Sequence, residues 1–176
     1  MVITLVLGGA RSGKSAVAEA LVAARLAVTG PDGPPGVTYV ATLVVGEDAD
    51  LADRVARHRA RRPAGWSTLE AGTDLPAVLR AVAGPALVDS LGPWVSASPG
   101  MQADAGGLCD ALVARAGDTV VVSEEVGLAV HPSTEAGRRF QDAMGTVNQA
   151  VAACADEVVL VVAGRTLRLE GRGDDR

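Results

Sequence analysis

The chain has almost no aromatic residues: two tryptophans, one tyrosine and one phenylalanine in 176 positions. Since 48% of it is nevertheless hydrophobic, the core has to be aliphatic, built from Val, Ala and Leu. Its two cysteines, Cys109 and Cys154, stand far apart with no metal-ligand spacing and read as buried free thiols. No uninterrupted apolar run approaches the roughly 18–20 residues that a membrane span needs. The opening "MVITLVLGG" lacks a basic stretch and a small-residue cleavage site, so a cytoplasmic location is expected. Positive charge is short as well. The formal net charge is −5, which argues against general nucleic-acid binding. Lysine is scarcest of all: of 16 Lys and Arg residues, Lys14 is the single lysine and the other fifteen are arginines.

What is present is a regular alternation. Val-rich runs interleave with Ala/Leu-rich amphipathic stretches, the pattern of parallel strands buried between helices. Strands are expected at "VITLVLG", "VTYVATL", "PALVDSL", "TVVVSEEVG" and "EVVLVVAG", with a short sixth at "TLRLE". Helices are expected from Ser15 to Val28, across "GEDADLADRVARHRARRP", from Leu75 to Val82, from Cys109 to Arg115, and from about Ser133 to Ala155. On the last, Phe140, Met144, Val147, Val151 and Cys154 form an apolar stripe. Thr29 to Gly36 and residues 96–107 read as loops. The reading is a three-layer α/β domain with a mainly parallel central sheet over residues 1–169, and a polar tail over 170–176.

Gly8-Gly9-Ala10-Arg11-Ser12-Gly13-Lys14-Ser15 fits the pattern G-x-x-x-x-G-K-[ST]. The glycines let successive backbone N–H groups turn toward phosphate oxygens, and the following helix adds its positive end. Lys14 is expected to reach the β- and γ-phosphates and the Ser15 hydroxyl to ligate Mg²⁺. The motif also sits between an expected strand and an expected helix, the context it needs. A Mg²⁺-coordinating acid should close a neighbouring strand; Asp89 is the first choice, with Glu124 and Glu125 behind it. A Ras-like guanine-reading motif requires another lysine, so that class is excluded, and a small-molecule kinase remains.

Of the two histidines, His58 lies in "DRVARHRARRP", where five arginines fall within nine residues. Leu51, Val55 and His58 share one helical face. Two readings stay open: a solvated charged face, or an anion site in which neighbouring positive charge keeps the imidazole neutral and nucleophilic. His131, beside Pro132, is the weaker candidate.

Taken together, "LVLGGARSGKS", "YVAT", "RVARHRARRPAGW" with Glu70 following, "ALVDSLGPWVS", "VVSEEVGLAVHP" and "GRRFQDAMGTVNQAVAACADEVVLVVAG" resemble the bifunctional adenosylcobinamide kinase/adenosylcobinamide-phosphate guanylyltransferase family of cobalamin biosynthesis. The pieces occur in family order along nearly the whole chain. The resemblance implies a RecA-like P-loop fold, a homotrimer, and two reactions. ATP or GTP would phosphorylate adenosylcobinamide; GTP would then guanylylate His58, and the GMP would pass to adenosylcobinamide phosphate. It also implies a nucleotide site lined by residues 8–15, Ala41, Thr42, Leu43, Arg59, Ala60, Arg61, Arg62, Glu70 and Asp89, with Mg²⁺ as the metal. A P-loop kinase for another small alcohol is the alternative. The chain departs from the family's usual pattern at Glu124, where Asn is common, at Ala129, where Gly is, and at "SLGPWVSASPG", where Gly92 and Pro93 are expected to break a helix.

Overall fold

Strand β1 (Ile3–Gly8) is buried at all six positions, as an apolar run without polar alternation requires of a central strand. The computed structural model describes residues 1–26, 36–43 and 65–171. After β1 come α1 (Lys14–Leu26), β2 (Thr38–Ala41), β3 (Ser67–Glu70), α2 (Leu75–Ala81), β4 (Ala86–Asp89) and α3 (Leu91–Ala97). A 3₁₀ turn (Pro99–Met101), α4 (Ala105–Ala114), β5 (Thr119–Glu124), α5 (Glu135–Cys154), β6 (Glu157–Val162) and β7 (Arg165–Leu169) complete the order.

The strands form one sheet in the order β3-β2-β4-β5-β1-β6-β7. Every pairing is parallel except the β6–β7 hairpin. This is the P-loop NTPase fold expected, with a mostly parallel sheet in which β5 stands between β1 and the acid-bearing strand β4. The side-chain period of two divides the core cleanly. Ile3, Leu5, Leu7, Val40, Val88 and Val121 point to one face, where Leu79, Trp94, Leu112, Met144 and Val151 from α2, α3, α4 and α5 cover them. Val6, Tyr39, Leu87, Val120 and Val122 point to the other, against Ala18 and Val22 of α1.

Four local expectations change. Helix α3 forms in spite of Gly92 and Pro93. Proline sits in its first turn, where its missing N–H would have had no intrahelical partner, so the break does not occur. The stretch 96–107 is not a loop: it contains the end of α3, the 3₁₀ turn and the start of α4, whose cap Asp104 accepts from the Gly107 N–H at 2.8 Å. Strand β3 has no counterpart among the expected strands, because all four of its residues are exposed at the sheet edge and carry no apolar alternation. The two cysteines are half-buried rather than fully buried, the Cys154 thiol donates to Val151 O at 3.3 Å, and the two thiols are near enough to affect each other's ionisation. The helix expected over "GEDADLADRVARHRARRP" lies outside the described residues.

Arg115 is the largest buried charge of the described residues and acts as a staple. Its guanidinium donates to the carbonyls of Leu79 (2.8 Å), Val82 (2.7 Å) and Gly84 (2.6 Å), and to Thr119 Oγ1 (3.0 Å). It thereby closes the C-terminal end of α2, whose last carbonyls have no partner within the helix. Burial pulls its pKa below the usual arginine value, but four of its five N–H donors are bonded. Arg115→Ala leaves three carbonyls without this partner, and urea unfolding is expected to show a loss of about 3 kcal/mol or more. At Cys154, burial first and the Cys109 thiol second push the pKa up to about 12. The thiolate is thus disfavoured, and Cys154 is expected to resist alkylation at pH 8 until the chain is unfolded, as read by intact mass.

Candidate nucleotide site

All five strands β3, β2, β4, β5 and β1 run parallel, so their carboxyl ends open on one side of the sheet, where α/β folds bind ligands. Register decides which residues arrive there. Gly8 pairs with Glu124, Asp89 with Ala41 and with Val122, and Ala41 with Glu70. The expected residues Gly8, Ala41, Asp89 and Glu70 therefore close four neighbouring or near-neighbouring strands on one edge. Glu70 is the outlier, exposed on the edge strand and four strand spacings from Gly8, about 19 Å at roughly 4.8 Å per spacing.

The loop from Gly8 to Lys14 leaves β1 and turns directly into α1. Gly13 holds φ +92, a left-handed backbone open to glycine at little cost, and it packs near Gly164, whose Cα a Cβ would meet at 3.4 Å. Behind the loop, the Gly164 N–H donates to Ser12 O at 2.8 Å, tying the cradle to the β6–β7 turn. Beside it, the Glu125 N–H donates to Gly8 O at 3.1 Å. Gly9, Ala10, Arg11 and Gly13 are exposed, and α1 presents its first-turn N–H groups toward them. The Ser12 hydroxyl is buried and has no hydrogen-bond partner among the described residues. This is a donor-rich concavity of the kind that takes an anion.

Two carboxylates face it. Asp89 accepts from Ser15 Oγ at 3.2 Å and from the Tyr39 hydroxyl. Glu124 stands 3.7 Å from Lys14 Nζ, which also donates to Gly9 O at 3.4 Å. Thr42 Oγ1 donates to the carbonyl of Ser90, so the end of β2 is latched to the turn after β4. Ser15 and Asp89 are the pair whose oxygens converge; Glu124 is occupied elsewhere, and Glu125 accepts from the Gly127 N–H at 2.7 Å within its own loop. Among the described residues no group of three or more His, Cys, Asp and Glu could hold a metal, and no helix is long and apolar enough to cross a membrane.

Of the expected site residues, Gly8, Gly9, Ala10, Arg11, Ser12, Gly13, Lys14, Ser15, Ala41, Thr42, Leu43, Glu70 and Asp89 lie at this edge or in the loops leaving it. His58, Arg59, Ala60, Arg61 and Arg62 lie outside the described residues. His131 is exposed in the loop before α5. The sequence reading passed over the residues that hold the edge from behind. Asn148 on α5 accepts from Ser123 Oγ at 2.5 Å and donates to Glu124 O at 3.0 Å, and Gln141 donates to Val126 O at 3.2 Å. The signal for Asn148 was there: it adjoins Val147 in the buried stripe of an amphipathic helix, a position for a polar side chain only with a partner waiting.

Known proteins match this chain over nearly its whole length. Residues 4–169 match the family model described as cobinamide kinase / cobinamide phosphate guanyltransferase. The bifunctional adenosylcobalamin biosynthesis protein CobP of Pseudomonas aeruginosa is 38% identical over 176 residues, covering 95% of this chain and 96% of the relative. The bifunctional adenosylcobalamin biosynthesis proteins CobU of Salmonella typhimurium and Escherichia coli are 34% and 32% identical, each over 94% of this chain and 98% of the relative. With a P-loop, an acid-bearing strand two places away and a match over nearly its whole length, the chain belongs to the cobinamide kinase / cobinamide phosphate guanyltransferase family.

Proposed function

We propose that this chain carries out both reactions for which its family is named. In the first, the hydroxyl oxygen of adenosylcobinamide attacks the γ-phosphorus of ATP or GTP. The bond to the β-phosphate oxygen breaks, a nucleoside diphosphate leaves, and the hydroxyl proton is lost. In the second, an imidazole nitrogen of His58 attacks the α-phosphorus of GTP and pyrophosphate leaves. The phosphate oxygen of adenosylcobinamide phosphate then displaces His58 from that phosphorus, giving adenosylcobinamide-GDP and the free imidazole. A covalent histidyl intermediate divides one difficult displacement into two easier ones.

The observation that carries the reading is the pairing of Lys14 and Ser15 with two strand-end carboxylates in a donor-lined concavity. Phosphoryl transfer asks for positioning and charge neutralisation more than for covalent chemistry. Lys14 and the first-turn amides of α1 supply the positive charge, and the buried Ser12 hydroxyl offers a further donor. Mg²⁺ fits the remaining pair. It binds through one or two protein oxygens and keeps the rest of its shell for water and phosphate, and Ser15 Oγ with Asp89 is such a set. When bound, the ion would neutralise charge on the phosphate oxygens.

Within the same proposal, residues 1–169 form one domain with a polar tail at 170–176, and the chain works in the cytoplasm as a homotrimer. The thiols of Cys109 and Cys154, unlinked, suit a reducing compartment. Leu128 and Val130, 80% and 93% exposed, are apolar side chains that subunit contact would remove from water. Light scattering after size exclusion tests the trimer.

Intact mass after incubation with GTP and Mg²⁺ tests the transferase half. Wild type is expected to gain one GMP, and His58→Ala none; an unmodified, folded wild type would leave the kinase alone. Lys14→Ala is expected to lower phosphoryl transfer to adenosylcobinamide by about 100-fold or more, the scale of losing one preorganised positive group at the transferring phosphate.

A further inference from the structure

Lys14 and Ser15 are adjacent in the chain, and each meets a different carboxylate: Lys14 meets Glu124, and Ser15 meets Asp89. The two acids are themselves joined. Glu124 Oε1 accepts from Ser90 Oγ at 2.7 Å, and Ser90 follows Asp89 directly. The contacts therefore close into a ring: Lys14, Glu124, Ser90, Asp89, Ser15 and back through the backbone to Lys14. We propose that Glu124 is the positioning residue of this ring, holding the turn that carries Asp89 in register with the phosphate-binding lysine.

The second oxygen of Glu124 shows how the register is kept. Oε2 accepts from the Gly92 N–H at 2.8 Å, in the first turn of α3. Pro93 has no N–H, so Gly92 is one of few amides there able to anchor the carboxylate. Position 92 also has no room for a side chain. A Cβ built on it would stand 2.5 Å from Glu124 Oε2 and 3.0 Å from Cδ, well inside contact distance. Glycine at 92 is thus shaped to the carboxylate, not to its backbone conformation. From behind, Asn148 fixes the strand end through the carbonyl of Glu124 itself. Glu124 is gripped at its main chain, at both oxygens and, across 3.7 Å, by Lys14. Such over-determination is what a group needs if it is to locate its neighbours.

The inference rests on the kinase reading for its effect on turnover, but not for its effect on binding. Gly92→Ala pushes the carboxylate away while leaving its charge. Glu124→Asp withdraws it by one methylene, which makes room for the alanine but shortens its reach. Glu124→Gln keeps the size and removes the charge facing Lys14. With all variants folded to the wild-type Tm within about 3 °C, Gly92→Ala is expected to lower kcat for phosphoryl transfer by about 10- to 100-fold, the scale of an ångström-sized misplacement. KM for the nucleotide should change less than about threefold, since the cradle amides are untouched. Gly92→Ala/Glu124→Asp should recover activity over Gly92→Ala alone, a coupling that independent sites do not show.

A second readout needs no acceptor: the ratio of GTP Kd without and with Mg²⁺. It should fall in Gly92→Ala and Glu124→Gln if Asp89 loses its register, and rise again in the double variant. Additive losses in the double variant, or an unchanged ratio in both single variants, would overturn the proposal. A wild type whose ratio behaves as expected but which phosphorylates no corrinoid would refute the functional reading and leave the ring standing.

Discussion

Parallel register is the constraint on which the site depends. Because β1, β5, β4 and β2 pair in parallel and are mostly buried, Gly8, Glu124, Asp89 and Ala41 are delivered to one edge by their places in strands whose buried positions are largely apolar, with Thr4, Thr119 and Ser123 the polar exceptions. A slip of one residue in any of these strands would turn its core face outward as well as displacing its terminal acid. Hydrophobic burial along the strands therefore sets the geometry of the charges at their tips. The two faces of the sheet share this task unequally. Helix α1 lies on one face with the glycine-rich loop at its head, whereas α2 to α5 lie on the other and reach the edge through the Gly92 N–H at the start of α3 and through the Asn148 and Gln141 side chains of α5.

In the structure Lys14 has protein partners. It lies between the carbonyl of Gly9 and the carboxylate of Glu124, with side-chain exposures of 13% for Lys14 and 24% for Glu124. In the proposed function, a triphosphate entering the cradle would compete for a cation that the protein already neutralises. The competition favours the ligand because it brings more negative charge than one carboxylate, and because the amides of the loop and of α1 add to it. Glu124 has anchors besides Lys14, Ser90 Oγ at 2.7 Å and the Gly92 N–H at 2.8 Å, that such a ligand would not compete for. The result is a site whose positive charge is prepaid in position but balanced in charge, as an acidic protein with one lysine has to arrange it.

The parts of the fold that could be read in the sequence are those where burial and period agree. The apolar run of β1, the amphipathic stripe of α5 and the glycine spacing of the phosphate loop each announce themselves within a few residues. Strand β3 did not, since an exposed edge strand of four residues has no apolar face to show. Helix α3 was misread because glycine followed by proline breaks a helix anywhere but its first turn, and one-dimensional reading could not know that the turn began at Leu91. The nearness of Cys109 to Cys154 depends on α4 packing on α5, a contact between elements 45 positions apart that no local pattern encodes.

Most instructive are two of the three places where the chain leaves the family's usual pattern, Ala129 being the third. Read along the sequence, Gly92-Pro93 and Glu124 are separate irregularities, and each by itself weakens the resemblance. In space they are one contact: the carboxylate at 124 fills the volume that any side chain at 92 would need, and takes the N–H that the helix start leaves free. A long carboxylate at one position and a missing Cβ at the other satisfy the same few cubic ångströms. Residues that look like damage singly are thus complementary as a pair, and together they hold an acid 3.7 Å from Lys14.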